Sequence, residues 1–120
     1  MIRYRQEMAR RTETEAQQGS GTLQIARMFT LEETEGCASV CDVFSFAPGD
    51  SIGEHRHVGE GELYYIICGE ALVTDDGVPA RLFAGDAHYC QDGHRHSIEN
   101  CGKGEMKMLA VVLRKQAEQA

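Results

Sequence analysis

Residues 49–69 read GDSIGEHRHVGEGELYYIICG and place two histidines just ahead of a run of β-forming residues. His55 and His57 are two positions apart, so in a strand both side chains point to the same face. Glu62 follows a glycine-containing turn at residues 58–61 and opens the β-rich run 62–67. These two imidazoles and one carboxylate can therefore face a single metal ion, although a His-x-His pair alone is weak evidence for a metal site.

A second stretch, residues 85–100, reads GDAHYCQDGHRHSIEN and carries the other three of the 5 histidines in the chain. His96 opens a β-forming run after the turn at Gly93. A closed β structure can bring this run beside residues 55–62. His96 is therefore the candidate fourth ligand.

Short β-forming runs bounded by Gly, Asp, Asn or Pro fill the chain from Thr22 to Leu113. The runs at 69–74 and 78–82 flank Asp75-Asp76-Gly77, which is a strong signal for a tight hairpin. Many short strands with regular turns predict an all-β sandwich or barrel. No helix-length amphipathic pattern alternates with these runs, which excludes a β-α-β architecture. A chain of 120 residues allows one such domain.

Residues 1–18 have a different composition from the rest of the chain. They are polar and charged, contain few core hydrophobes, and are rich in good helix formers such as Glu, Gln, Ala and Arg. Gly19-Ser20-Gly21 separates them from the β-forming runs. We predict an N-terminal arm over residues 1–18, either a short helix or a mobile arm, and a β-barrel domain over residues 19–120.

The charge of the chain argues against nucleic acid as a partner. The formal net charge is −7, and residues 12–113 carry 6 basic and 17 acidic side chains, a net charge of −11. Such a surface repels phosphate backbones, and the arginines before residue 12 lie outside any helix-turn-helix pattern. Apolar runs such as residues 108–113 are far shorter than the roughly 18 residues of a membrane helix, so we expect no membrane partner.

The 5 cysteines form no Cys-x-x-Cys pair, and their odd number argues against a disulfide framework. The first residues, MIRYRQEMARR, lack the apolar segment of a secretory signal. We therefore expect a cytoplasmic protein in which most thiols are small apolar core residues.

The first stretch resembles the first motif of the cupin superfamily. That motif has Gly, five residues, His-x-His, four residues, Glu, six residues and Gly. Gly49, His55, His57, Glu62 and Gly69 match every fixed position. The sequence His-x-His-x4-ELYYI is similar to single-domain cupins labelled mannose-6-phosphate isomerase-like.

The second stretch resembles the second cupin motif, which has Gly, five residues, Pro-x-Gly, two residues, His, three residues and Asn. Gly85, Gly93, His96 and Asn100 match it, whereas Gln91 stands at the proline position. Because that position shapes a turn and not the metal shell, the departure leaves the ligand assignment intact.

The resemblance implies a fold and a metal site together. The fold is the double-stranded β-helix of cupins, a small jelly-roll barrel. The implied ligands of one divalent transition metal ion are His55, His57, Glu62 and His96. This ligand set suits Mn, Fe, Co, Ni, Cu or Zn and leaves open positions on a six-coordinate ion.

Tyr64 lies two residues after Glu62 and should share its face. Some cupin lyases carry a tyrosine at this position, which implies a catalytic role as acid, base or hydrogen-bond donor. The alternative is a core aromatic residue with a satisfied hydroxyl. We expect His94 to be a solvated loop residue and Glu60 a solvated turn residue, whereas His88 either lines the cavity or faces outward.

Two functions fit these residues. The first is a small metalloenzyme that acts on a polar metabolite as an isomerase, lyase, decarboxylase or dioxygenase. The alternative is a non-catalytic small-molecule-binding or regulatory cupin. We also expect a homodimer that covers exposed sheet edges, with residues 22–30 and 105–113 as the candidate pairing segments.

Overall fold

The computed structural model describes residues 1–116 as two antiparallel β-sheets that contain ten strands. One sheet has the strand order β1-β2-β3-β10-β5-β8 and the other β4-β9-β6-β7. This is the jelly-roll fold that the sequence predicts. The strands are β1 (Ala9–Thr14), β2 (Thr22–Arg27), β3 (Ala38–Phe46), β4 (Ser51–Arg56), β5 (Glu60–Cys68), β6 (Glu70–Asp75), β7 (Val78–Phe83), β8 (Ala87–Cys90), β9 (Arg95–Asn100) and β10 (Met106–Arg114).

The core lies between the two sheets, where every second residue of the central strands is apolar and buried. In β10 these residues are Met106, Met108, Ala110 and Val112. Each large side chain buried in this way contributes roughly 1.5–3 kcal/mol to stability. The same alternation in β5 buries residues 62, 64 and 66. The carboxylate of Glu62 and the ring of Tyr64 therefore lie in the barrel interior.

The hairpin between β6 and β7 has the predicted tight turn. Asp75 pairs with Val78, and the two residues between them, Asp76 and Gly77, have φ values of +47° and +83°. Positive φ at both central residues is the geometry whose twist matches that of the flanking strands.

Residues 1–18 differ from the expected helix or mobile arm, because they contain a strand. β1 pairs with β2 from Ala9 opposite Arg27 to Thr14 opposite Thr22. All six residues of β1 are exposed, so they lack the apolar alternation that marks a strand in sequence. Three-residue 3-10 helices at Arg5–Glu7 and Ala16–Gln18 flank it. The division of the chain after residue 18 stays a prediction.

No helix in residues 1–116 is long and apolar enough to cross a membrane.

The two segments expected to pair with a second copy are not sheet edges. β2 lies between β1 and β3, and β10 lies between β3 and β5. Their backbone groups are therefore already paired on both sides within the chain. The edges of the two sheets are instead β1, β8, β4 and β7.

Candidate metal centre

The four residues predicted as ligands meet inside the barrel in a group that can hold a metal ion. Oε1 of Glu62 lies 3.0 Å from Nε2 of His57 and 3.0 Å from Nε2 of His96. Nε2 of His96 also lies 3.0 Å from Nε2 of His55. Two ligand atoms at right angles around an ion, each about 2.1 Å from it, are about 3.0 Å apart, so this spacing fits a transition metal ion.

An irregularity in β4 turns His55 toward the interior. Ile52 lies opposite Ile98 and His55 lies opposite His96, so three steps along β4 match two steps along β9. Such a bulge changes the face to which the following residue points. As a result, Ile52 and His55 both line the same cavity, although they are three positions apart.

Gly53 forms part of this bulge and packs tightly against the N-terminal segment. A Cβ atom at position 53 would lie 2.1 Å from the backbone oxygen of Gln17. The Gly53 carbonyl in turn accepts a hydrogen bond of 2.8 Å from Nδ1 of His55. The absence of a side chain at this position therefore allows both the close packing and the orientation of one candidate ligand.

The second ring nitrogen of each candidate ligand has its own partner. Nδ1 of His55 donates to the Gly53 carbonyl, and Nδ1 of His57 donates to Oε2 of Glu60 at 2.6 Å. Nδ1 of His96 lies 3.1 Å from Nε2 of His88, within hydrogen-bond distance. Partners of this kind fix the ring orientation of metal-binding histidines and leave the Nε2 lone pair free.

The grouped atoms repel one another unless positive charge lies between them. Three Nε2 lone pairs and a carboxylate oxygen are all electron-pair donors, and Glu62 and His96 are buried. Either shared protons or a metal cation can satisfy this arrangement. The donor set is thus the one that a divalent transition metal ion requires.

The close packing of these side chains also shifts their pKa values. Burial opposes the charge on Glu62, but without an ion the protons that the neighbouring imidazoles share with Glu62 outweigh burial and hold the pKa of this carboxyl well below its usual range. The hydrogen bond with Glu62 raises the pKa of His57 against the effect of burial. Burial lowers the pKa of His96 and of His88. The carboxylate is therefore ionised at neutral pH and attracts a cation.

Two residues near the ligands have roles that the sequence did not reveal. Glu60 contacts His57, and His88 contacts His96, so both orient a candidate ligand instead of facing only solvent. For Glu60 the signal was its spacing of three residues from His57. His94 is about half exposed and pairs with Asp76 outside the group, as expected for a loop residue.

Tyr64 lies against the candidate metal centre. Its ring stacks on His96 with a centroid distance of 4.7 Å and an interplanar angle of 8°. Its hydroxyl is buried and has no hydrogen-bond partner in residues 1–116. Burial, followed by the charge of Glu62, raises the pKa of this phenol well above its ordinary value. The hydroxyl therefore stays protonated at neutral pH and can donate a hydrogen bond toward Glu62 or a ligand beside it.

A cavity of about 270 Å³ adjoins the group. His55, His57, Glu62 and Tyr64 line one side of it. The N-terminal segment lines another side through residues 11, 13, 16 and 17. The volume lies just below the range of drug-sized sites, so the cavity suits a small metabolite.

The chain belongs to the cupin family. The family model described as "Cupin domain" matches residues 42–112, which include both motifs and all four candidate ligands. The fold and the matched motifs thus agree on the class of protein.

Relatives of this chain come from several organisms. The "Oxalate-binding protein" of Thermotoga maritima is 36% identical over 95 residues, which cover 79% of this chain and 78% of that protein. The crystal structure of a protein described as a predicted oxalate decarboxylase from Thermotoga maritima matches with a TM-score of 0.91 at 32% identity, covering 95% of this chain and 99% of that one. KdgF from Halomonas sp. matches with a TM-score of 0.77 at 14% identity, over 97% of this chain and 94% of that one, which shows the shared fold alone.

Proposed function

We propose that this cupin binds one divalent transition metal ion through His55, His57, Glu62 and His96, and that the bound ion holds a small carboxylate ligand in the adjoining cavity. The observation that carries the proposal is the convergence of four electron-pair donors in a group whose other ring nitrogens already have partners. An ion at this position supplies Lewis acidity and open positions for oxygen ligands. The name of the Thermotoga relative makes oxalate the first carboxylate to test.

The residues of this chain support such binding in two ways. Gly53 and Glu60 hold His55 and His57 in place before an ion arrives, so less ordering is needed on binding. The cavity of about 270 Å³ accommodates a small metabolite such as a short carboxylate. Mn, Fe, Co, Ni, Cu and Zn all suit the ligand set, and their supply in the cell contributes to the choice.

A metalloenzyme is the second candidate function, and Tyr64 is the observation that favours it. A buried hydroxyl without a partner costs stability, and active sites tolerate such a cost when the group serves a ligand. The proposed role of Tyr64 is to donate a hydrogen bond to the reacting oxygen of a metabolite. The reaction classes to test are isomerase, lyase, decarboxylase and dioxygenase. The narrower resemblance to mannose-6-phosphate isomerase-like proteins stays a prediction.

A homodimer is also part of the proposal, but through a sheet face instead of a sheet edge. Side chains on the outer face of the six-stranded sheet include Val43, Leu109 and Tyr65, which lie in one row across three strands. Tyr65 and the nearby Tyr89 remain more than 40% exposed in the single chain. A second copy of the chain would cover this apolar face. The cytoplasmic location stays a prediction.

Metal analysis tests the first part of the proposal. The protein is purified without an affinity tag that binds metal, and its metal content is measured by mass spectrometry. We expect about one ion per chain, and we expect His57→Ala to lose it. His94→Ala is the matched control, because His94 lies in the loop beside His96 and points to Asp76 instead of the group. Equal metal content in wild type and His57→Ala would refute the metal site.

Ligand titration and turnover separate the two candidate functions. Calorimetry of the metal-loaded protein with oxalate should give saturable binding that the metal-free protein lacks. The same samples are then followed by NMR under air and under nitrogen. Consumption of the ligand would identify an enzyme, whereas binding without consumption would favour the binding module.

A further inference from the structure

The N-terminal strand places an arginine on the inner face of the barrel. Arg11 pairs with Ile25, which pairs with Phe44, so the three residues form one row across β1, β2 and β3. Ile25 and Phe44 are buried in the core, which shows that this row faces inward. Arg11 accordingly lines the same cavity as His55 and His57.

The guanidinium group of Arg11 uses only part of its donors on Asp42. It contacts the buried Asp42 through one nitrogen at 3.2 Å. Arg27 holds the other oxygen of Asp42 at 2.7 Å, so Asp42 keeps a close partner if Arg11 turns toward a ligand. An arginine has five N–H donors, and most of those of Arg11 remain available. Its side chain is 43% exposed, which places it near the cavity mouth.

Arg11 is the one arginine or lysine among the described lining residues of a cavity that also holds three glutamates. Glu13, Glu60 and Glu62 also line the cavity, and all three disfavour an anionic ligand. If one carboxylate group of a ligand binds a metal ion at one end of the cavity, Arg11 is the donor for a second carboxylate group at the other end.

Arg11 and Glu62 reach the same cavity from different strands. The Arg11 guanidinium lies at Asp42 on β3, and Glu62 projects from β5, with β10 between the two strands. Neighbouring strands are about 4.8 Å apart, so the strands that carry the two groups are separated by roughly 10 Å. Asp42 is level with Ala110 and Tyr64, so Glu62 lies two residues further along β5, a further offset of roughly 7 Å. Arg11 and Glu62 both line the cavity, so a dicarboxylate bound there lies between them.

We infer that Arg11 is a specificity-determining residue that binds the free carboxylate of a small dicarboxylate whose other end is held at the candidate metal centre. This inference rests on the proposed metal-dependent carboxylate binding and adds the residue that distinguishes a dianion from a neutral metal ligand. A fork of N–H donors on a carboxylate is a strong and geometrically specific contact.

The test compares two probes on Co²⁺-loaded protein, because the visible absorption of Co²⁺ reports any ligand that enters its shell. Oxalate is the dianionic probe and imidazole is the neutral one. Arg11→Met should weaken oxalate binding about tenfold or more and leave imidazole binding unchanged. Arg10→Met is the matched control, since Arg10 is the next residue of β1 and lies outside the cavity lining. It should change neither affinity.

The outcomes distinguish this inference from the proposed function. If wild type binds oxalate and Arg11→Met binds it equally well, the role of Arg11 is wrong and the proposed function stands. If Arg11→Met weakens both probes equally, Arg11 has only a structural role. If the Co²⁺-loaded wild type binds imidazole but no oxalate, both the carboxylate function and the role of Arg11 are refuted. A wild type that takes up no Co²⁺ refutes the metal centre itself.

Discussion

Oε2 of Glu60 accepts a hydrogen bond of 2.6 Å from Nδ1 of His57, on the side of the ring opposite the candidate metal centre. Nε2 of the same ring lies 3.0 Å from Oε1 of Glu62. Two glutamates two residues apart on β5 therefore contact the two nitrogens of one imidazole. One contact orients the ring, and the other belongs to the group that can hold an ion.

Removal of Glu60 should weaken metal binding and leave the fold intact. Without the carboxylate, His57 loses the acceptor that fixes its ring orientation, and we expect Glu60→Ala to reduce metal affinity about 10–100-fold. Competition with a metal indicator dye measures the change. Glu54→Gln is the control, because Glu54 is an exposed acid on β4 that pairs with Arg95 instead of a ligand. If Glu60→Ala bound metal as tightly as wild type, Glu60 would have no positioning role.

The sequence predicted the barrel and the grouping of the ligands because both follow from local patterns. The spacing of His55 and His57 relative to Glu62, together with β-forming runs and turn residues, is a short-range property. β1 was not predicted, because its six residues are exposed and show no apolar alternation. It is a strand because it pairs with β2. His88 lies on β8 of one sheet and His96 lies on β9 of the other. Their contact therefore depends on how the two sheets pack, which no local sequence pattern reports.

Replacement of Gly53 should damage both stability and the site. Because a Cβ atom would lie 2.1 Å from the Gln17 carbonyl, Gly53→Ala must displace the backbone of one segment. We expect a loss of about 1–3 kcal/mol in the free energy of unfolding, together with weaker metal binding as the acceptor of His55 moves. Chemical denaturation and metal titration measure the two effects. Gly104→Ala should be nearly neutral, since a Cβ atom there meets no neighbour within 4 Å.

Removal of the Tyr64 hydroxyl should raise the stability of the protein and weaken its function. Tyr64→Phe removes a buried polar atom without a partner, so the ligand-free protein should become more stable, by about 1 kcal/mol. If the hydroxyl serves a ligand, the same variant should lose turnover or bind oxalate more weakly. Thermal unfolding and calorimetry check both effects. Tyr65→Phe is the control, because Tyr65 faces outward and is 41% exposed. If Tyr64→Phe is stable and its oxalate binding and turnover equal those of wild type, Tyr64 has no role in the site.

A charge on the outer sheet face should dissociate the proposed homodimer. Tyr65→Glu places a carboxylate opposite Leu109 in the centre of the apolar face, where a second copy would have to desolvate it. Light scattering at micromolar concentration should show twice the chain mass of 13.3 kDa for wild type and the single mass for the variant. Val78→Glu on the other sheet, where Val78 is already 66% exposed, should remain dimeric. A monomeric wild type would contradict the homodimer.

The thiol of Cys90 should resist alkylation at a pH where other thiols react. Cys90 is fully buried opposite Glu62, and burial, with the nearby charge of Asp75, raises its pKa to about 11. Alkylation requires the thiolate, which is then only about one part in a thousand of the population at pH 8 and grows about tenfold per pH unit up to the pKa. Iodoacetamide at pH 8 should therefore label the exposed Cys37 and spare Cys90 in the folded protein, as read by peptide mass spectrometry. Unfolding in guanidinium should make both react. Equal labelling of Cys37 and Cys90 before unfolding would show that this side of the barrel opens readily.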